Sequence, residues 1–248
     1  MNELVKEVSY RIHTYETDTQ GYLRIPALFN YLQDIASQHA VSLHFGKEDL
    51  EKKNRFWVLS RIYCKLDKLP EWNDEILIRT WPRGIEKIFA LRDYEISDST
   101  GDRIGGATSS WLMLNIENRR PVRPDNLFEI LNGDTPERAS LGRNAGKLPP
   151  VEDWQYKSSP IPVKHSDLDL NLHVNNVSYL QWALDSYPLD FIMSHRLKTA
   201  ELNFLSESLP GDEVYVLAGE SEENLFDHSI TRKADGRELC RLRVEWIS

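Results

Sequence analysis

Asp169, Asn171 and His173 occupy alternate positions in the stretch K-H-S-D-L-D-L-N-L-H-V-N-N, Lys164 to Asn176. In an extended backbone alternate side chains share a face, so a carboxylate, an amide and an imidazole would line one side. A carboxylate or imidazole so placed can take up or release a proton in a reaction. The period then changes: Val174, Val177, Leu180 and Leu184 recur at three- and four-residue steps, which is helical spacing. Asn175 or Asn176 is a suitable N-cap, and Pro188 is expected to stop the helix. The polar triplet therefore leads into a helix N-terminus, whose unpaired N–H groups and positive dipole end suit an oxygen that gains negative charge. The bland reading of the same residues is turn and capping chemistry, common before helices.

The elements that must carry this triplet follow from the rest of the pattern. Residues 5–13 read as a first strand, D-T-Q-G at 18–21 as a turn, and Pro26 as the first turn of a helix with Leu28, Leu32, Ile35, Ala36 and His39 on one face. Strands are expected at Phe56 to Leu66, Asp74 to Trp81, Phe89 to Ile96 and Ala107 to Ile116. After the irregular residues 117–160, with one short helix expected at Asp125 to Leu131, the order returns. A strand-like I-P-V-K-H precedes the helix at about 175–186. The runs Lys198 to Glu207, Glu213 to Ala218, Leu225 to Arg232 and Glu238 to Ile247 follow.

Several anchors recur in this second pass. Y-L-Q stands at 31–33 and 179–181, and L-P at 69–70 and 209–210. Phe89 and Phe226, Gly101 and Gly236, and Trp111 and Trp246 hold matching places. A shared order of anchors marks an internal repeat. Each half is a two-layer α+β unit, one apolar helix face on an antiparallel sheet. The expected organisation is a first domain over 1–117, a linker over 118–158 and a second domain over 159–248.

Composition limits the partners. The 248 residues carry a net charge of −9, which argues against general nucleic-acid binding. Apolar residues make up 40%, with seven Trp and ten Tyr, enough for a packed core. The only cysteines, Cys64 and Cys240, lie far apart and without metal-ligand spacing, so a reducing cytoplasm is expected. No apolar run approaches the ~20 residues of a membrane span, and M-N-E-L-V-K-E-V lacks a signal core.

The stretch D-L-D-L-N-L-H-V-N-N-V-S-Y-L-Q-W resembles the D-x-N-x-H-V-N-N-x-x-Y motif of the acyl-[acyl carrier protein] thioesterases. H-T-Y-E-T-D and F-N-Y-L-Q-D-I-A resemble that family's N-terminal half, and F-L-S-E-S-L-P-G-D-E-V its segment bearing an acidic residue. The resemblance covers nearly the whole chain. It implies a double hot-dog fold, with catalysis in the C-terminal half and the N-terminal half holding the acyl chain. It implies Asp169, Asn171, His173 and Glu207 as functional residues, fatty acyl-acyl carrier protein as substrate, and no metal or organic cofactor. It leaves room for a homodimer. Plant members have a cysteine just after the glutamate, where this chain has Ser208. Attack by water is therefore favoured over an acyl-serine, which would need its own activating base.

Thioester hydrolysis requires an oxyanion to be stabilised, a water to be activated and the site to be dry. The N–H groups after His173 are the expected oxyanion donors. Asp169 or Glu207 is expected to activate water, with His173 polarising the carbonyl or sharing the proton and Asn171 fixing the geometry. Aligning Asp18 with Asp167 sets Tyr22 and Arg24 opposite Asn171 and His173, and aligning on Y-L-Q sets Leu23 and Ile25 there. Either way the first half lacks the amide and the imidazole, so one active site per chain is expected. The competing functions are an acyl-CoA thioesterase of the same fold and a non-catalytic acyl-binding or regulatory protein. His39, His44, His228 and Trp57, Trp81, Trp111 and Trp246 are read as core or surface residues. Arg119, Arg120 and Arg123 are read as a solvated loop, or else as a contact for an acidic carrier protein.

Overall fold

The stripe Leu28, Leu32, Ile35, Ala36 and His39 folds into helix α1 (Ile25–Ser42), with Pro26 in its first turn and all five side chains buried. A computed structural model of the chain describes residues 4–124 and 139–248. The short helix expected at Asp125 to Leu131 lies outside the described residues. Contacts divide the chain into two compact units, Met1–Ala145 and Gly146–Ser248.

In the first unit, β1 (Lys6–Arg11), β2 (Arg55–Leu66), β3 (Glu75–Glu86), β4 (Phe89–Asp98) and β5 (Arg103–Asn115) form an antiparallel sheet in the order β1-β3-β4-β5-β2. Val8 lies opposite Ile78, and Ile78 opposite Ile96, so the buried ladder follows the period-2 alternation. Helix α1 lies on β1 and β3. Leu28, Leu32, Ile35, Ile78 and Ile96 lose all solvent contact, each worth roughly 1.5–3 kcal/mol of apolar burial.

Two features of this unit were illegible in sequence. Helix α2 (Lys47–Glu51) is too short to show a period; its Leu50 packs with Phe45, Ala90 and Met113. Strand β5 starts at Arg103 rather than Ala107, because Gly105 and Gly106 are close approaches rather than breakers. A Cβ on Gly105 would come 2.6 Å from the Lys65 carbonyl oxygen, and one on Gly106 2.9 Å from that of Tyr94.

In the second unit, β9 (Arg196–Phe204), β10 (Glu213–Glu222), β11 (Leu225–Arg232) and β12 (Glu238–Ile247) run in the order β9-β12-β11-β10, antiparallel throughout. Helix α3 (Asn176–Leu184) packs on β10, β11 and β12. Leu180, Ala183, Val214, Val216, Ile230 and Val244 form its fully buried core. Helix α3 ends at Leu184, before Pro188, and that proline is the N-cap of a further short helix, α4 (Leu189–Ser194). The run expected to continue to Glu207 leaves the sheet at Phe204, so Glu207 stands on a loop.

The described parts of residues 118–158 are not a free tether. β6 (Pro121–Val122) pairs with β5, and β7 (Tyr156–Lys157) and β8 (Ile161–Pro162) pair with β10. Within the first unit the Ser140 N–H donates to Asp93 Oδ2 at 2.7 Å. Within the second, the Leu148 N–H donates to Asn203 Oδ1 at 2.9 Å, and Arg241 Nη1 to the Leu148 carbonyl at 2.9 Å. The basic residues Arg119, Arg120 and Arg123 are exposed, with the Arg119 guanidinium 4.9 Å from the centre of the Phe56 ring.

Candidate active site

Residues 164–175 do not form an extended ladder. His165–Asp167 make one 3₁₀ turn, held by the Lys164 N–H donating to Asp167 Oδ2 at 2.7 Å. The chain then folds back on itself, with Leu168 bridged to Val174 and the Asp169 N–H donating to the His173 carbonyl at 2.8 Å. Inside this hairpin the Asp169 carboxylate accepts two backbone N–H groups at Oδ1, from Asn171 at 2.8 Å and from His173 at 3.1 Å. The Asn171 side-chain amide contacts Oδ2 at 3.4 Å. Asp169 therefore builds the turn that presents Asn171 and His173, as aspartate does wherever its carboxylate replaces a backbone acceptor.

A second loop completes the arrangement. The Val174 N–H donates to the Ser208 carbonyl at 3.1 Å, the Ser208 N–H donates to Tyr179 Oη at 3.2 Å, and Arg232 Nη2 donates to the Glu207 carbonyl at 2.7 Å. These bonds hold Glu207 beside the hairpin, with Oε1 3.8 Å from His173 Nδ1. Both side chains remain partly accessible, at 43% and 26%. Burial raises the Tyr179 pKa further above the phenol range, so it keeps its proton in this role. Tyr179 closes the family-like motif in the sequence, whereas nothing in the sequence pattern pointed to Arg232 as a support. Asp212 Oδ2 accepts from Ser208 Oγ at 3.0 Å and from the Leu209 N–H at 2.9 Å.

Four of the N–H groups expected as oxyanion donors bond within the chain. Asn175 caps α3 by accepting the Val177 N–H at 3.1 Å, and its carbonyl takes the Ser178 N–H at 2.9 Å. The Val174 N–H goes to Ser208 and the Asn175 N–H to the Asp167 carbonyl at 2.7 Å. These four donors are already committed within the chain.

The first unit contains the same turn, and its hydrogen bonds fix the register. Asp18 Oδ1 accepts from the N–H groups of Gln20 at 2.8 Å and Tyr22 at 3.0 Å, and the Asp18 N–H donates to the Tyr22 carbonyl at 2.8 Å. Leu23 N–H donates to the Pro70 carbonyl as Val174 does to Ser208. Asp18 thus matches Asp169, Gln20 matches Asn171, Tyr22 matches His173 and Leu69 matches Glu207. Both sequence alignments of this loop were out of register, because the aspartate two positions earlier and the later Y-L-Q are poorer markers than the carboxylate that closes the turn. The imidazole and the glutamate are absent from the first unit, but the aspartate is retained and Gln20 supplies a side-chain amide at the place of Asn171, so the expectation that the first half lacks the amide is corrected.

Comparison with known proteins identifies the family. The N-terminal domain model of acyl-ACP thioesterase matches residues 3–131, and the C-terminal domain model matches residues 151–248. The chain belongs to the acyl-ACP thioesterase family. An oleoyl-acyl carrier protein thioesterase of Arabidopsis thaliana is 30% identical over 95% of this chain and 74% of its own length. A palmitoyl-acyl carrier protein thioesterase of Gossypium hirsutum is 31% identical over 98% of this chain and 64% of its own. The crystal structure of an acyl-ACP thioesterase from Bacteroides thetaiotaomicron superimposes over the full length of both chains with a TM-score of 0.89 at 27% identity. The fold is that of these thioesterases, a double hot-dog, each unit an antiparallel sheet around its helix. In this acyl-ACP thioesterase the cysteines are buried, and burial pushes the Cys64 thiol up to about 12 and the Cys240 thiol well above its ordinary value.

Proposed function

We propose that the chain hydrolyses the thioester of fatty acyl-acyl carrier protein to fatty acid and free carrier protein, using His173, Glu207 and Asn171. The single observation that carries the assignment is the second hairpin, where Asp169 and Ser208 bring His173 and Glu207 to 3.8 Å. The same scaffold in the first unit carries Tyr22 and Leu69 at those places. That contrast supports catalysis in the second unit and a role in holding the acyl chain for the first. It also supports Asp169 as the residue that positions the turn.

In the mechanism we favour, a water oxygen attacks the thioester carbonyl carbon while Glu207 or His173 takes its proton. Apo distances near 3.8 Å are compatible with a pair that tightens around substrate and water. Negative charge moves onto the carbonyl oxygen, where the Asn171 amide or the imidazole would donate to it. Collapse breaks the C–S bond, and the proton passes to the leaving thiolate. Ser208 is fully buried and its hydroxyl donates to Asp212, which supports water rather than serine as the nucleophile. We place the enzyme in the cytoplasm on its two free, buried cysteines.

The test is hydrolysis of acyl-acyl carrier protein and acyl-CoA of matched chain length by the wild type and by His173→Ala. The proposal expects faster turnover of the carrier-protein substrate and loss of both activities in the variant. Undiminished hydrolysis by His173→Ala would remove the site assignment.

A further inference from the structure

The turn that presents Asn171 and His173 also carries two leucines in water. Leu170 is 95% exposed and Leu172 67%, and Leu172 holds a left-handed backbone with φ +60°. Neither is needed to build the turn. The first unit makes the same bonds with Thr19 and Gly21 at the matching places, and Gly21 takes the left-handed position at φ +89° without the steric penalty of a side chain. The second unit thus keeps two apolar side chains in water, and one of them, Leu172, against its backbone geometry as well.

From these observations we infer that Leu170 and Leu172 form an apolar rim that grips the pantetheine arm of the substrate, on the carrier side of the thioester. The inference rests on the reading of His173 and Glu207 as the site of hydrolysis. Three residues of chain span at most about 10 Å, so both leucines stay within that reach of His173. The segment of substrate at that distance, beyond the sulfur, is the arm rather than the body of the carrier protein. The arm is uncharged there and mixes amides with methylene and dimethyl groups, which suits an exposed apolar edge. An acyl chain would instead require enclosure, which side chains on an open turn do not provide.

The test transplants the first unit's own turn into the second, as the double variant Leu170→Thr, Leu172→Gly. The result expected is a Tm equal to or above wild type, because Gly relieves the left-handed position. KM should rise about tenfold with kcat little changed, the low end of what a lost apolar contact gives. The rise should be equal for acyl-acyl carrier protein, acyl-CoA and acyl-pantetheine of one chain length, which share only the arm and the acyl group. A loss confined to the carrier-protein substrate would overturn the proposal in favour of contact with the carrier body. A fall in kcat at unchanged KM, or no change on any substrate, would also overturn it. His173→Ala is assayed alongside. If it retains activity, the reading of the catalytic site fails as well; if it is inactive while the double variant matches wild type, only the leucine proposal fails.

Discussion

Replacing Asp169 separates a residue that builds the site from one that performs chemistry. Its Oδ1 accepts the Asn171 and His173 N–H groups at 2.8 and 3.1 Å, and the side chain is half-buried. Hydrogen bonds to a charged group are worth about 1.5–3 kcal/mol each when buried. Discounting for partial exposure to about 1 kcal/mol each gives a cost of about 2 kcal/mol for Asp169→Ala, or a Tm lowered by about 4–8 °C in a chain of this size. Asp18→Ala removes the same two bonds from the first unit and is expected to cost a similar amount. Asp169→Asn keeps an acceptor oxygen at the same place. If the carboxylate only holds the turn, Asp169→Asn retains kcat within about tenfold, whereas Asp169→Ala loses much more because His173 is no longer fixed. The assays are thermal unfolding and steady-state hydrolysis of acyl-acyl carrier protein on all three variants. A loss of 10²–10⁴-fold in Asp169→Asn at normal Tm, the scale of a removed general base, would refute the reasoning.

Other outcomes follow from the same geometry. Ser208→Ala should retain kcat within about tenfold while losing about 1 kcal/mol of stability, since its hydroxyl is bonded to Asp212; urea unfolding and turnover check this. His228 is fully buried, has no hydrogen-bond partner at either ring nitrogen among the described residues, and its pKa is lowered by burial to about 4. A folded pKa below the unfolded one means stability is intact above about pH 6.5 and lost as pH falls toward 4, by up to about 3 kcal/mol. Urea midpoints between pH 7 and 4 should therefore fall less steeply for His228→Phe than for wild type. Equal slopes would show that another group governs acid unfolding.

What the sequence disclosed was whatever has a period or a repeat. The stripe from Leu28 to His39 and the alternation through Ile62, Cys64 and Leu66 are local, so helix and strand could be read from them, although a bulge between Leu59 and Arg61 buries Leu59 in place of the expected Val58. Gly101 and Gly236 both turn at positive φ between matching strands, as the repeat implied. The site was legible only as a list of residues. Alternation suggested an extended ladder, but the Asp169 carboxylate competes for the backbone N–H groups and closes a hairpin instead. The position of Glu207 depends on Arg232 and Ser208, 25 and 34 residues from their respective partners, Glu207 and Val174. Such bonds across the fold leave no periodic trace.

The most direct test of the account is single-turnover hydrolysis of acyl-acyl carrier protein by Glu207→Gln beside wild type. Gln keeps the size and the hydrogen-bonding oxygen but cannot accept the proton. The account predicts a chemical step slowed by about 10²–10⁴-fold with substrate binding preserved. A rate equal to wild type would contradict it.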